Sequence, residues 1–259
     1  MLHRLKTLAR DHHWSRALLL RGLARVRRVA RAEPGLYTLC YHRVPERDRR
    51  GFAAQIAHLQ RHGTFVDARE ALRLVETGEV RARRHFLVTF DDGYADTVSV
   101  ALPVLRAAGV PALMFVVSAW LDRPPADPPG PYVDRTGLAT WLAAGMDVGS
   151  HGATHARIAD LDAAGVETEL SASRLQLEGV VGRPIRHFAC PWGVAGHDYR
   201  PTRDPALAAA CGYATFFTTR RGRACGPADL PAMPRHVLEP HWPVHELDAL
   251  MGGRRGAVR

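Results

Sequence analysis

From residue 36 onward, short apolar runs alternate with stretches in which apolar residues recur at helical spacing. The runs cover 36–42, 85–90, 112–117, 146–149, 185–190, 214–219 and 233–238. They have strand length, and most lack a polar alternate face, as expected for strands covered on both sides. Helical period appears over 52–61, 68–76, 96–108, 136–144, 161–181 and 205–210, with Gly109 stopping the third of these. Strands separated by helices pair in parallel through right-handed crossovers. The fold class is therefore α/β. About seven strands over residues 34–252 favour an irregular (β/α) barrel, complete or incomplete, over an open sheet. Periodicity alone does not separate those two arrangements.

Ahead of the first strand, Leu2, Leu5, Leu8, Leu19, Leu23, Val26 and Ala30 recur with arginines between them. This predicts a basic amphipathic helix over 2–31, closed by Glu33-Pro34-Gly35. The division expected is a basic helical segment 1–33, a barrel domain 34–252 and a basic tail 253–259. Charge sharpens it. The formal net charge is +9, yet residues 1–31 carry nine cations against one acid, and the last seven residues add three arginines. The body between is near neutral, which argues against nucleic acid as a partner. A cationic amphipathic segment suits peripheral contact with an anionic membrane. No apolar run reaches the ~18 residues of a spanning helix. The run Ala17–Leu20, flanked by Arg16 and Arg21, is too short for a secretory signal. Four cysteines without CxxC spacing read as free thiols, Cys40 and Cys190 buried. The expected location is the cytoplasm, at or away from the inner face of the membrane.

Three stretches carry candidate chemistry. In Leu87-Val88-Thr89-Phe90-Asp91-Asp92-Gly93-Tyr94, a strand runs into two adjacent carboxylates. Strand C-terminal ends form the functional face of such a barrel. Adjacent carboxylates repel, so a cation partner is expected. In Gly149-Ser150-His151-Gly152-Ala153-Thr154-His155, two histidines four apart also leave a strand end. One carboxylate and two imidazoles make an Asp-His-His set with positions left open for water and substrate. Donors without thiolate suit a divalent metal, Zn2+ first, with Co2+, Ni2+, Mn2+ or Fe2+ as alternatives. The residues alone leave the order of Asp91 and Asp92 open. The third stretch, Phe188-Ala189-Cys190-Pro191-Trp192-Gly193, places a backbone N–H in a tight turn where it can stabilise an oxyanion.

In this order, the three stretches resemble the first three motifs of the polysaccharide deacetylases, the NodB-type or family-4 carbohydrate esterases. The resemblance covers residues 36–240, and Tyr41-His42-Arg43-Val44 is similar to a branch of that family with an N-terminal extension. It implies that Asp92, His151 and His155 bind the metal. Asp91 is then the base toward water at that metal, and the Trp192 backbone N–H holds the oxyanion. Arg186 lies before the third motif, where some members place an arginine that pairs with the base. Trp192, Arg186 and Arg235 are the candidate substrate contacts. The general acid has no clean motif. His42, at the end of the first strand, ranks first, and His236, in Met233-Pro234-Arg235-His236, ranks second.

The function expected is metal-dependent hydrolysis of the N-acetyl group of an amino sugar in a polysaccharide or lipid-linked glycan precursor. Two alternatives stand beside it. One is the same centre acting on an O-acetyl ester or a formamide. The other is a non-catalytic relative that binds glycan or membrane.

Overall fold

The computed structural model describes residues 20–23, 27–122 and 131–254. The chain falls into two compact units, Pro34–His241 and a smaller one combining Met1–Glu33 with Trp242–Arg259.

The larger unit contains seven parallel strands: β1 (Gly35–Tyr41), β2 (Arg84–Phe90), β3 (Ala112–Val116), β4 (Asp147–Ser150), β5 (His187–Ala189), β6 (Thr215–Phe217) and β7 (Arg235–Val237). They lie in the order β6-β5-β4-β3-β2-β1-β7, with a two-residue strand, Thr64–Phe65, beside β2. The two edges nearly meet. Thr218 N–H donates to the Met233 carbonyl at 3.0 Å, and Met233 N–H donates to the Phe216 carbonyl at 2.8 Å. The fold is thus a nearly closed barrel. All seven expected strands form within a residue or two of their predicted limits. β1 and β3 are buried along their whole length, which explains why their sequences show no polar face.

Helices follow the strands as the pattern predicts: α1 (Arg49–Gln60), α2 (Ala68–Thr77), α3 (Leu102–Ala108), α4 (Arg135–Ala143), α5 (Ala163–Val181) and α6 (Asp204–Ala210). Aspartates cap three of them. Asp67, Asp134 and Asp162 accept from the N–H groups of Glu70, Gly137 and Gly165 at 2.7–2.8 Å, satisfying donors that the helix itself cannot. The continuous helix expected over 96–108 is instead a π-type turn, Thr97–Ala101, leading into α3. Pro103 has no N–H for the regular ladder, so the register shifts ahead of it.

In the smaller unit, Arg27–Arg28 pairs antiparallel with Gly253–Arg254, and helix α7 (Val244–Met251) carries Asp248. Asp248 accepts from Val29 N–H at 2.8 Å and from Arg28 at 3.3 Å. Leu20 and Leu23 pack with Ala249 and Leu250. This corrects the sequence reading at two points. The chain is helical over the described residues Leu20–Leu23, but residues 27–28 are extended because a strand partner arrives from more than 200 residues away. Residues 242–252 also group with the N-terminal segment rather than with the barrel. Most of the expected N-terminal helix lies outside the described residues. Among the described residues, no helix is long and apolar enough to cross a membrane.

Candidate metal centre and base

All three motif stretches emerge at the C-terminal ends of β2, β4 and β5. Each is pinned there by ladder bonds that extend past the strand. Asp91 N–H donates to Tyr41 C=O at 2.9 Å, His151 N–H to Val116 C=O at 2.9 Å, and Cys190 N–H to Phe217 C=O at 3.0 Å. The backbone then turns sharply. Asp92, His155 and Trp192 are the only non-glycine residues with positive φ among the described residues, at 68°, 65° and 56°. Such angles cost on the order of 1–3 kcal/mol each and persist where the surroundings over-determine them.

The turn at Asp92 separates two carboxylates that are adjacent in the chain. Asp92 swings toward the histidines. Its Oδ1 lies 3.3 Å from His151 Nε2 and 3.4 Å from His155 Nε2. His151 Nδ1 donates to Ala189 C=O at 2.8 Å, which leaves Nε2 as the nitrogen turned toward Asp92. Donor atoms spaced this way match the edges of a tetrahedron with arms of about 2.1 Å, the reach of zinc to nitrogen or carboxylate oxygen. The residues therefore fit a divalent metal. Burial opposes the charge on Asp92, but the hydrogen bonds from His151 and His155 outweigh it and hold the carboxyl well below its ordinary range.

Asp91 turns inward and is 3 % exposed. Its Oδ1 accepts from Arg235 Nη1 at 2.6 Å, and its Oδ2 accepts from the Cys40 thiol at 3.4 Å. Burial would raise its pKa. The wholly buried Arg235 guanidinium, with His151 and His42, more than offsets that and keeps Asp91 ionised. Arg235 in turn donates through Nε to Thr218 C=O at 3.0 Å. Cys40, His42 and Asp91 also offer donor atoms within 4.8 Å of one another. Arg235 already neutralises Asp91 there, and burial keeps the Cys40 thiol protonated, so this second group offers little charge to a cation.

The histidine loop is held from below by Glu169 of α5. It accepts from Thr154 N–H at 2.7 Å and from the Thr154 hydroxyl at 3.1 Å. Gly152, at φ 85°, passes so close to Glu169 that a Cβ there would sit 2.7 Å from its Oε1. The third motif makes a tight turn in which Gly193 N–H donates to Pro191 C=O at 2.6 Å, while the Thr219 hydroxyl holds the Trp192 carbonyl at 3.0 Å. The Trp192 ring is 48 % exposed and lies 4.6 Å from the His155 ring. Trp120 stands 5.4 Å from His155, and Tyr132 lies 4.4 Å from Trp120. Aromatic faces thus line the approach to the ligand set.

Two sequence-predicted residues lie elsewhere. Arg186 is exposed, immediately before β5, in a cleft shared with Asp147, Arg183 and His187 at the opposite end of the strands. The arginine that meets Asp91 is Arg235, 144 residues away in sequence. Because Arg235 points into the barrel, its neighbour His236 points to the other face, where its ring stacks on Tyr37 at 6.0 Å. His236 is therefore away from the ligand set, whereas His42 sits with Cys40 and Asp91. Sequence reading also took Cys40 only as a buried thiol and did not single out Glu169. Cys40 stands two residues before His42 on a strand that alternates faces, which was the one available signal.

The polysaccharide deacetylase family model matches residues 79–219. A chitin deacetylase from Pestalotiopsis sp. is 31% identical over 109 residues, which is 41% of this chain and 34% of that enzyme. The present chain thus aligns with about a third of that relative's length. IcaB from Ammonifex degensii superposes with a TM-score of 0.71 at 27% identity, over 85% of this chain and 98% of IcaB. The Streptococcus pyogenes deacetylase PplD, solved in complex with acetate, shares the fold, with a TM-score of 0.69 at 21% identity over 86% of this chain and 99% of PplD. With the family match spanning more than half of its length and all three motif stretches at one end of the barrel, this chain belongs to the polysaccharide deacetylase family.

Proposed function

We propose that this protein is a divalent-metal-dependent N-deacetylase acting on an N-acetylated amino sugar within a glycan or glycan precursor. The observation that carries this reading is the division of labour at the strand ends. Asp92, His151 and His155 converge on one point, while Asp91 is held apart as an ionised carboxylate. Asp92, His151 and His155 would hold the metal, with Zn2+ the first choice for one carboxylate and two imidazoles. When bound, it supplies Lewis-acid polarisation of the acetyl carbonyl and acidifies water.

The remaining work falls to the chain. Asp91 accepts the proton of the attacking water, its carboxylate oriented by Arg235 and Cys40. The Trp192 backbone N–H, presented by the tight turn, stabilises the developing oxyanion. His42 donates the proton that lets the amine leave. The exposed Trp192 ring and the Trp120–Tyr132 pair offer flat faces to a pyranose ring.

Acetate release from N-acetylhexosamine oligosaccharides, measured with and without a chelator, tests the proposal. Release that stops on chelation and returns with added Zn2+ is the expected result. Activity that survives both metal removal and Asp91→Asn would overturn it. Faster turnover of O-acetyl esters or formamides on the same panel would move the reaction to those acyl groups.

A further inference from the structure

His155 and Trp192 both hold left-handed backbone, in the loops that follow β4 and β5, and their ring centroids are 4.6 Å apart. Such backbone persists only where several contacts fix it. Glu169 pins Thr154 in the first loop, and the Thr219 hydroxyl holds the Trp192 carbonyl in the second. Both loops also meet one buried carboxylate, Asp198. Its Oδ2 accepts from Val194 N–H at 2.9 Å, two residues past Trp192. Its Oδ1 pairs with Arg157 Nε at 3.2 Å, two residues past His155, and lies 2.6 Å from His197 Nδ1. Its backbone C=O accepts from Ala159 N–H at 3.0 Å. Arg157 closes the link, with its guanidinium carbon 5.1 Å from the centre of the Trp192 ring.

Building on the proposed deacetylase reaction, we infer that Asp198 is the positioning residue that sets the oxyanion donor of Trp192 against the His155 loop. In that reaction one acetyl oxygen is served from both loops, by the ligand set that contains His155 and by the Trp192 N–H. The spacing between the loops therefore decides how well the developing oxyanion is met. Asp198 acts on that spacing through Val194 N–H and Arg157 and does not itself take part in the chemistry. Removing its carboxylate leaves an amide N–H and a guanidinium without their acceptor, one in each loop. The two loops then lose a shared anchor, while Glu169 still holds the histidine loop.

Asp198→Ala and Asp198→Asn in the full, zinc-loaded chain test this. A misplacement of about 1 Å can cost about 10²-fold, so alanine should lower kcat for acetate release about 10- to 100-fold, with KM and zinc stoichiometry unchanged. Asparagine keeps an oxygen for Val194 N–H and should come within about fivefold of the wild type, the worth of one hydrogen bond. Amide hydrogen exchange adds a readout that needs no turnover. In the alanine variant, peptides from 155–161 and from 191–196 should both exchange faster, while those of β1 and α2 stay unchanged. Faster exchange confined to 191–196 overturns the coupling, as does a folded, zinc-loaded alanine variant with wild-type kcat. Asparagine falling as far as alanine leaves Asp198 a packing role only and overturns the positioning. A wild type that releases no acetate from any acylated sugar overturns the deacetylase reading, and the exchange pattern still decides whether Asp198 joins the two loops.

Discussion

Asp91 and Asp92 are the same residue type, one peptide bond apart, yet each belongs to a different half of the site. The Asp92 half is open toward the barrel mouth, its carboxylate facing two imidazoles and its backbone in the left-handed region. The Asp91 half is closed, with a buried guanidinium on one oxygen and a buried thiol near the other. Environment alone divides the labour. A carboxylate facing two imidazole nitrogens can join a metal's ligand set, and one compensated by a fixed cation stays ionised without needing the metal. The strand-end turn makes this possible, because without the reversal at Asp92 the pleat would send its side chain to the face of the sheet opposite Asp91.

The sharpest way to break the comparison is to replace each aspartate in turn. Asp91→Asn should lower kcat by about 10²- to 10⁴-fold, the usual worth of a general base, with metal content unchanged. Asp92→Asn should lose stoichiometric metal and activity together. Metal analysis beside acetate release separates the two, and loss of metal from the Asp91 variant would merge the halves. Arg235→Met strips the closed half of its cation. Leaving one member of a buried pair alone costs about 3–5 kcal/mol, so the denaturation midpoint should fall sharply. The open half should still bind metal in whatever fraction remains folded.

How legible each half was follows from the distances involved. The open half was readable because its three side chains lie in two contiguous stretches, each directly after an apolar strand. The closed half was not, because its contacts join Asp91 to residues 51 and 144 positions away. Arg235 and His236 lie in a three-residue strand, too short for periodicity to show which one faces inward. The resemblance to known deacetylases implies an order for Asp91 and Asp92 and points to Arg186 as the arginine beside Asp91, a contact that geometry gives to Arg235. The seven strands were legible for the opposite reason, since burial on both faces leaves a continuous apolar signal. The pairing of residues 27–28 with 253–254 left none.

Protonation offers a gentler test. Burial opposes the charge on His151, but Asp91 and Asp92 outweigh it, so without metal His151 keeps its proton to a higher pH than free imidazole. Metal must displace that proton. Affinity should therefore climb with pH across the range just above the ordinary histidine value, by up to about tenfold per unit for each proton released. The metal-free protein should behave in the opposite sense. Its stabilisation by protonated His151 is complete below the unfolded-state pKa and is lost as pH rises through the higher folded value. Metal titrations and apo-protein melting curves over the same pH series check both slopes, and parallel slopes would show that His151 is not the group being displaced.

The smallest expected effect concerns Cys40, the one member of the closed half with no charge. Burial pushes its thiol well above the ordinary range over the opposing pull of Arg235, so the sulfur stays protonated and acts as the donor to Asp91 Oδ2. A net hydrogen bond is worth about 1 kcal/mol, and a thiol gives less than most, so Cys40→Ala should lower kcat by no more than about fivefold. KM should stay unchanged, because the contact orients the base and does not touch the sugar. Cys40→Ser keeps a donor at the same position and should recover most of the loss. If alanine and serine fall equally, the effect is one of packing, and the orientation of Asp91 rests on Arg235 alone.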